Sequence, residues 1–144
     1  MDVACQCKAV TFKTPTLEPL ATYVCHCTEC QSRTGSAFGA SAIFPKFTLP
    51  EGMPLACYAR LTSSGDTLHC YFCKNCGTRI LHTTAARNVV SVKGGCIPGL
   101  DWTKAIHVWA SAAMVPIPEG CERYAEDSTS TSSSEYGDHQ KILD

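Results

Sequence analysis

The sequence predicts a mainly β domain of small antiparallel sheets stapled by metal, with few short helical turns. Three observations lead there. Short runs rich in β-branched and aromatic residues recur along the chain, punctuated by proline and glycine. No window carries a helical period longer than about three turns. Seven of the eleven cysteines stand in tight clusters, which suits a chelate better than a set of bridges.

Taken in order, strands are expected at residues 10–13, 22–25, 42–44, 57–60, 68–72, 79–82, 89–92 and 106–109. Each combines β-branched or aromatic side chains with flanks that break regular structure. Pro45, Pro50, Gly52 and Pro54 separate the third run from the fourth, and Gly65 the fourth from the fifth. Gly94, Gly95, Pro98 and Gly99 follow the seventh, and Pro116, Pro118 and Gly120 follow the eighth. The one helix expected is a short turn over residues 28–35, closed by Gly35. No internal repeat is present. Residues 1–125 read as the folded domain. Residues 126–144 are polar, Ser/Thr-rich and nearly free of apolar side chains. Such a segment cannot offset its ordering entropy, so it is expected to be a disordered tail.

Composition narrows the function. A chain of 144 residues with 44% apolar residues suits one domain with a modest core. Lys and Arg number 12 against 13 acids, so no basic field recruits nucleic acid or a membrane surface. No stretch approaches the ~18 apolar residues of a membrane span. The start, Met1-Asp2-Val3-Ala4-Cys5, lacks the basic flank and apolar run of a signal peptide. The expected location is cytoplasmic and reducing, where cysteine pairs chelate metal rather than oxidise.

Cys73-Lys-Asn-Cys76-Gly77 has the form of a zinc knuckle. A two-residue spacer lets both thiolates meet one ion, and glycine permits the left-handed turn beneath them. Cys5 and Cys7 are the natural second pair, giving a closed four-thiolate site that ties the N-terminus to the middle of the chain. Cys25-His26-Cys27-Thr28-Glu29-Cys30 supplies three thiolates and no obvious local fourth. Cys25 and Cys27 can project from a strand end, with Cys30 returning from the first helical turn. Three thiolates on zinc leave an open position for a soft ligand such as a substrate thiolate, which marks Cys25, Cys27 and Cys30 as the candidate catalytic set. A fourth protein ligand would have to be His26, His69, His82 or His107. His26, between two cysteines on the opposite strand face, is poorly placed for it.

Residues 31–41 are rich in small and hydroxyl side chains. A loop containing Gly35 and Ser36 can present N–H groups and hydroxyls to an anionic ligand, and Arg33 adds a carboxylate partner. Cys57, Cys70, Cys96 and Cys121 are expected to pack in the core. Cys70 stands three before Cys73 and therefore on the opposite strand face. His107 and Trp109 alternate on a strand and also read as core.

With these residues in place the chain resembles the glutathione-dependent formaldehyde-activating enzyme and centromere protein V family, as a small fungal-type member. The resemblance rests on Cys5-x-Cys7, Val24-Cys25-His26-Cys27-x-x-Cys30, Thr34-Gly35-Ser36-Ala37-Phe38, Phe72-Cys73-x-x-Cys76-Gly77-Thr78 and His107-x-Trp109. It implies a β-tent fold and two zinc ions per chain. One would be structural, at Cys5, Cys7, Cys73 and Cys76; the other, catalytic and labile, at Cys25, Cys27 and Cys30. The implied activity is that of a carbon–sulfur lyase joining glutathione, or handling a glutathione adduct, with formaldehyde. The small-molecule thiol or thiol adduct would be its only partner class, without nucleic acid or membrane. Two positions depart from the family pattern: Ala4 and Lys8 stand where glycines commonly flank the first pair, and residues 94–99 differ from the usual sequence after that strand.

Two other readings compete with the enzyme. A non-catalytic zinc domain for protein binding predicts two fully protein-ligated ions, though no basic segment or partner surface accompanies it. Thiol-rich handling of Cu(I) would also suit soft sulfur ligands.

Overall fold

The computed structural model describes residues 1–62 and 64–126. Its strands are β1 (Asp2–Ala4), β2 (Thr11–Lys13), β3 (Ala21–Cys25), β4 (Gly39–Pro45), β5 (Leu55–Leu61), β6 (Thr67–Cys73), β7 (Arg79–Thr84), β8 (Val89–Lys93) and β9 (Ile106–Val108). The helix α1 spans Thr28–Thr34, and single 3₁₀ turns occupy Gly94–Cys96 and Ala110–Ala112. All eight expected strands are present, and β1 is added to them. The expected tail lies outside the described residues except for Glu126, whose carbonyl accepts from the Trp109 N–H.

The strands form two sheets. β1 and β2 make an antiparallel ribbon, and the remaining seven make one sheet in the order β5-β6-β7-β8-β4-β3-β9. This sheet is broader than the small sheets expected, and β3 and β9 pair in parallel within it. A bulge interrupts the β6–β7 ladder: Tyr71 faces Leu81 but Phe72 faces Arg79, which leaves Ile80 as the extra residue. Bulges of this kind bend a strand and re-aim its side chains.

Two-residue periodicity gives the sheet two apolar faces. Ala42 pairs with Val92 and Phe44 with Val90, and these four join Val3 and Phe12 of the ribbon, and Val10 just before β2, in the larger core cluster. Ile43, one residue out of phase, packs on the other face with Tyr23, Cys25, Cys30 and Val108. Phe44 is fully buried and alone contributes about 2–3 kcal/mol relative to an exposed ring. The ribbon is too short to hold itself in place, since an isolated pair of strands is marginal in water.

Two local features depart from expectation. Cys57 is exposed; it lies on β5, the outer strand of the sheet. Cys121 is partly exposed, whereas Cys70 and Cys96 are buried as expected. Gly94 is required by packing: a Cβ there would overlap the Trp102 ring.

Candidate metal centres

The first pair of cysteines lies in the tight loop that follows β1 rather than in a strand. Cys5 N–H bonds to Val10 O and Lys8 N–H to Cys5 O, each at 3.0 Å, and Lys8 closes the turn with φ of 62°. The second pair runs from the end of β6 at Cys73 into the turn that holds Cys76. Gly77 takes φ of 74° and donates to Cys73 O, while Cys73 N–H bonds to Thr78 O, both at 2.9 Å. The knuckle read from the sequence is therefore present, with glycine in its left-handed position.

These two loops bring four sulfurs together. Cys5, Cys7, Cys73 and Cys76 form one group whose sulfurs all lie within 4.8 Å of one another, and Cys25, Cys27 and Cys30 form a second. Sulfurs about 2.3 Å from a tetrahedral zinc would stand about 3.8 Å apart. The observed separations are 3.5 Å for Cys5–Cys7, 3.8 Å for Cys7–Cys73 and 3.4 Å for Cys25–Cys27. All eleven cysteines are free of disulfides. Both donor sets fit a soft, thiophilic metal.

In the second group each sulfur comes from a different part of one structural transition. Cys25 ends β3, and Cys27 is the N-cap of α1, its sulfur accepting from Cys30 N–H at 3.4 Å. Cys30 sits buried within the first turn of the helix. Among the described residues no histidine or carboxylate joins these three. His26 instead bonds through Nε2 to His107 Nδ1 at 3.0 Å, with the rings stacked. Burial, followed by the neighbouring His107, pushes His26 below the usual imidazole range; burial also lowers His107. The pair braces the start of the helix, where Gln31 also bridges His26 O and Ala112 O at 2.7 and 2.9 Å.

The thiols share charge unequally. Hydrogen bonds from Cys25 and Cys27 hold Cys30 far below the usual thiol range, with Arg33 and Lys93 reinforcing them. Hydrogen bonds with Cys27 and Cys30, with burial, push Cys25 up. Arg33 Nη2 donates to Cys30 Sγ at 2.8 Å. In the four-cysteine group the Thr78 hydroxyl and backbone bring Cys76 down to about 5. Arrays of this kind are ready to lose protons to a metal.

The loop after the cluster begins as the helix end. Gly35, at φ of 59°, caps α1, and the N–H groups of Gly35 and Ser36 bond to Ser32 O and Gln31 O at 3.3 Å. This is a Schellman cap. Those two donors belong to the helix end, while Arg33 points toward the cluster. Sequence reasoning also passed over Arg79 and Lys93. They lie with Arg33 around a cavity beside the four-cysteine group, yet come from separate strands with no shared spacing to reveal it.

The profile of the glutathione-dependent formaldehyde-activating enzyme family matches residues 1–112. The chain belongs to that family. Both cysteine groups and the His26–His107 pair fall inside the family-matched region. No curated protein matches the chain. A crystal structure of a Rhodobacter sphaeroides protein, a structural-genomics target, is similar in fold, with a TM-score of 0.54 and 21% identity. The match covers 70% of this chain and 91% of that one. Among the described residues, no helix is long and apolar enough to cross a membrane.

Proposed function

We propose that this chain is a cytoplasmic, zinc-dependent carbon–sulfur lyase acting on glutathione or a glutathione adduct. The three-cysteine group carries the reading: three convergent sulfurs have no fourth protein ligand among the described residues. Family membership supports it, because the family is named for glutathione-dependent activation of formaldehyde. The four-cysteine group is assigned the structural zinc and the three-cysteine group the catalytic one. Zinc held by Cys25, Cys27 and Cys30 would supply an open position and a thiolate-stabilising charge at neutral pH.

The reaction joins the glutathione sulfur to the formaldehyde carbon. A sulfur–carbon bond forms, the carbonyl π bond opens, and the thiol proton ends on the former carbonyl oxygen as S-(hydroxymethyl)glutathione. The reverse step breaks the same bond. Arg33 donates to Cys30 Sγ at 2.8 Å and adds its charge to the Cys25 and Cys27 hydrogen bonds that favour the Cys30 thiolate. The Cys30 N–H fixes the Cys27 sulfur at the helix cap. Tyr23, Ile43 and Val108 pack behind Cys25 and Cys30 and keep water from that side of the sulfurs, so polar contacts there act in a low dielectric.

The test follows adduct formation from glutathione and formaldehyde by ¹H NMR, together with elemental analysis of wild type and Cys27→Ser. The expected result is adduct formation well above the uncatalysed rate, lost in Cys27→Ser along with one of two zinc equivalents. Two zincs indifferent to glutathione, with no rate enhancement, would mean a binding domain instead. Copper in place of zinc after native purification would point to metal handling.

A further inference from the structure

The cavity beside the four-cysteine group has a volume of about 700 Å³, and Arg33, Arg79 and Lys93 line it with Cys5, Cys76 and Thr78. Three basic side chains thus converge from three elements: the last turn of α1, the bulged start of β7 and the end of β8. Among the described residues no acidic side chain lines the cavity. The ion pairs among the described residues are Lys13–Asp2 and Arg60–Glu29, so none of the three has a carboxylate partner there.

Their donors are also incompletely used. Arg33 Nε and Nη1 and Arg79 Nη1 are buried without a hydrogen-bond partner. Lys93 is only 6% exposed, and its one hydrogen bond to a side chain runs to Ser41 Oγ at 2.9 Å. Burial, with repulsion from Arg33, lowers Lys93 to about 7, a cost that a bound anion would reverse. Buried donors without acceptors are rare in folded proteins and call for a partner. Arg33 Nη2 is already committed to Cys30, so the guanidinium touches the three-cysteine group on one side and the cavity on the other.

We propose that this cavity is an anion subsite that holds a carboxylate of the thiol substrate on Arg33, Arg79 and Lys93. The substrate sulfur then lies at Cys25, Cys27 and Cys30, one guanidinium away. The inference rests on reading that group as the thiol site, and it names the substrate class: thiols bearing a carboxylate, in preference to neutral ones. The cations also offset thiolate charge in the metal groups, and the test has to separate that role from ligand binding.

The experiment compares kcat/KM for glutathione and for its diethyl ester, with formaldehyde as co-substrate, in metal-loaded wild type, Arg79→Met and Arg79→Lys. Metal content is measured on each sample. Wild type is expected to favour glutathione, and Arg79→Met to reduce that preference by roughly tenfold or more, with metal content unchanged and partial recovery in Arg79→Lys. An unchanged preference, or a loss that follows metal loss, would overturn the subsite. Should neither thiol turn over, calorimetry with S-methylglutathione decides separately, since its sulfur is blocked. Binding to wild type that weakens about tenfold in Arg79→Met keeps the subsite while the proposed activity falls. No binding to wild type overturns the subsite itself.

Discussion

Gly39 lies directly against Cys30: a Cβ at position 39 would stand 3.2 Å from the Cys30 Cβ and 3.4 Å from its sulfur. Gly39 opens β4 and pairs with Cys25 across the ladder, so it borders two of the three cysteines. Cys30 cannot retreat cheaply, because its Cβ is fixed to the first turn of α1. Gly39→Ala should therefore overpack the site, costing about 1–3 kcal/mol in urea unfolding. It should also weaken metal retention at Cys25, Cys27 and Cys30 while the four-cysteine group stays loaded. Equal metal content in the variant and wild type, after dialysis against a chelator, would contradict this.

The two cysteine groups should respond differently to serine. At Cys27 serine remains a good N-cap, since its hydroxyl can accept from the Cys30 N–H as the sulfur does. Cys27→Ser should keep the domain folded and remove one metal equivalent. Cys73 is fully buried and belongs to the group that joins the β1–β2 end of the chain to β6. Structural zinc contributes on the order of 10 kcal/mol of binding free energy, so Cys73→Ser should leave little folded protein. Circular dichroism with metal analysis on both variants checks the contrast.

What the sequence made legible, and what it hid, divides along locality. The helix was readable because Gly35 ends it, and the cysteine pairs and triplet because their spacers are two residues or fewer. Joining Cys5 and Cys7 to Cys73 and Cys76 rested on pairing one cysteine pair with the other. Strand positions followed from β-branched runs. The parallel pairing of Val24 with His107 joins residues far apart in the chain, and no local pattern encodes it. Cys57 carries the same composition as a core cysteine, and only its place on the outer strand exposes it. Lys93 reads as the polar end of a strand, yet the sheet buries it beside Ser41. The cavity cations Arg33, Arg79 and Lys93 belong to three elements, and only the fold brings them together.

Lys8 holds φ of 62°, a left-handed conformation that glycine adopts without steric cost. A side chain in that conformation costs roughly 1–2 kcal/mol, partly offset by the greater unfolded-state entropy of glycine. Lys8 is exposed, so removing its side chain leaves no cavity. Lys8→Gly should raise stability by about 0.5–1 kcal/mol. Urea unfolding of the metal-loaded protein measures it, and a loss of stability would show that the lysine side chain contributes something the loop geometry does not require.

Lys93 should give the fold a pH dependence of its own. Its folded pKa is depressed, chiefly by burial, from 10.5 to about 7. Between those values the unfolded chain holds a proton that the folded chain has released. Stability from this group is therefore complete above about pH 10.5 and declines as pH falls, until the folded form is protonated below about pH 7. The slope approaches about 1.4 kcal/mol per pH unit within that window and vanishes outside it. Thiols titrate over part of the same range, so the comparison has to be differential. Urea unfolding at pH 7.5 and pH 9, in wild type and Lys93→Met, isolates the contribution. Wild type should gain more stability over that interval than Lys93→Met, by about 1–2 kcal/mol. Identical gains would mean that Lys93 keeps its proton in the folded state, as it would with an anion bound across the cavity. Repeating the pair of measurements with added S-methylglutathione should then narrow the difference, because a carboxylate on Lys93 raises its folded pKa and shrinks the window.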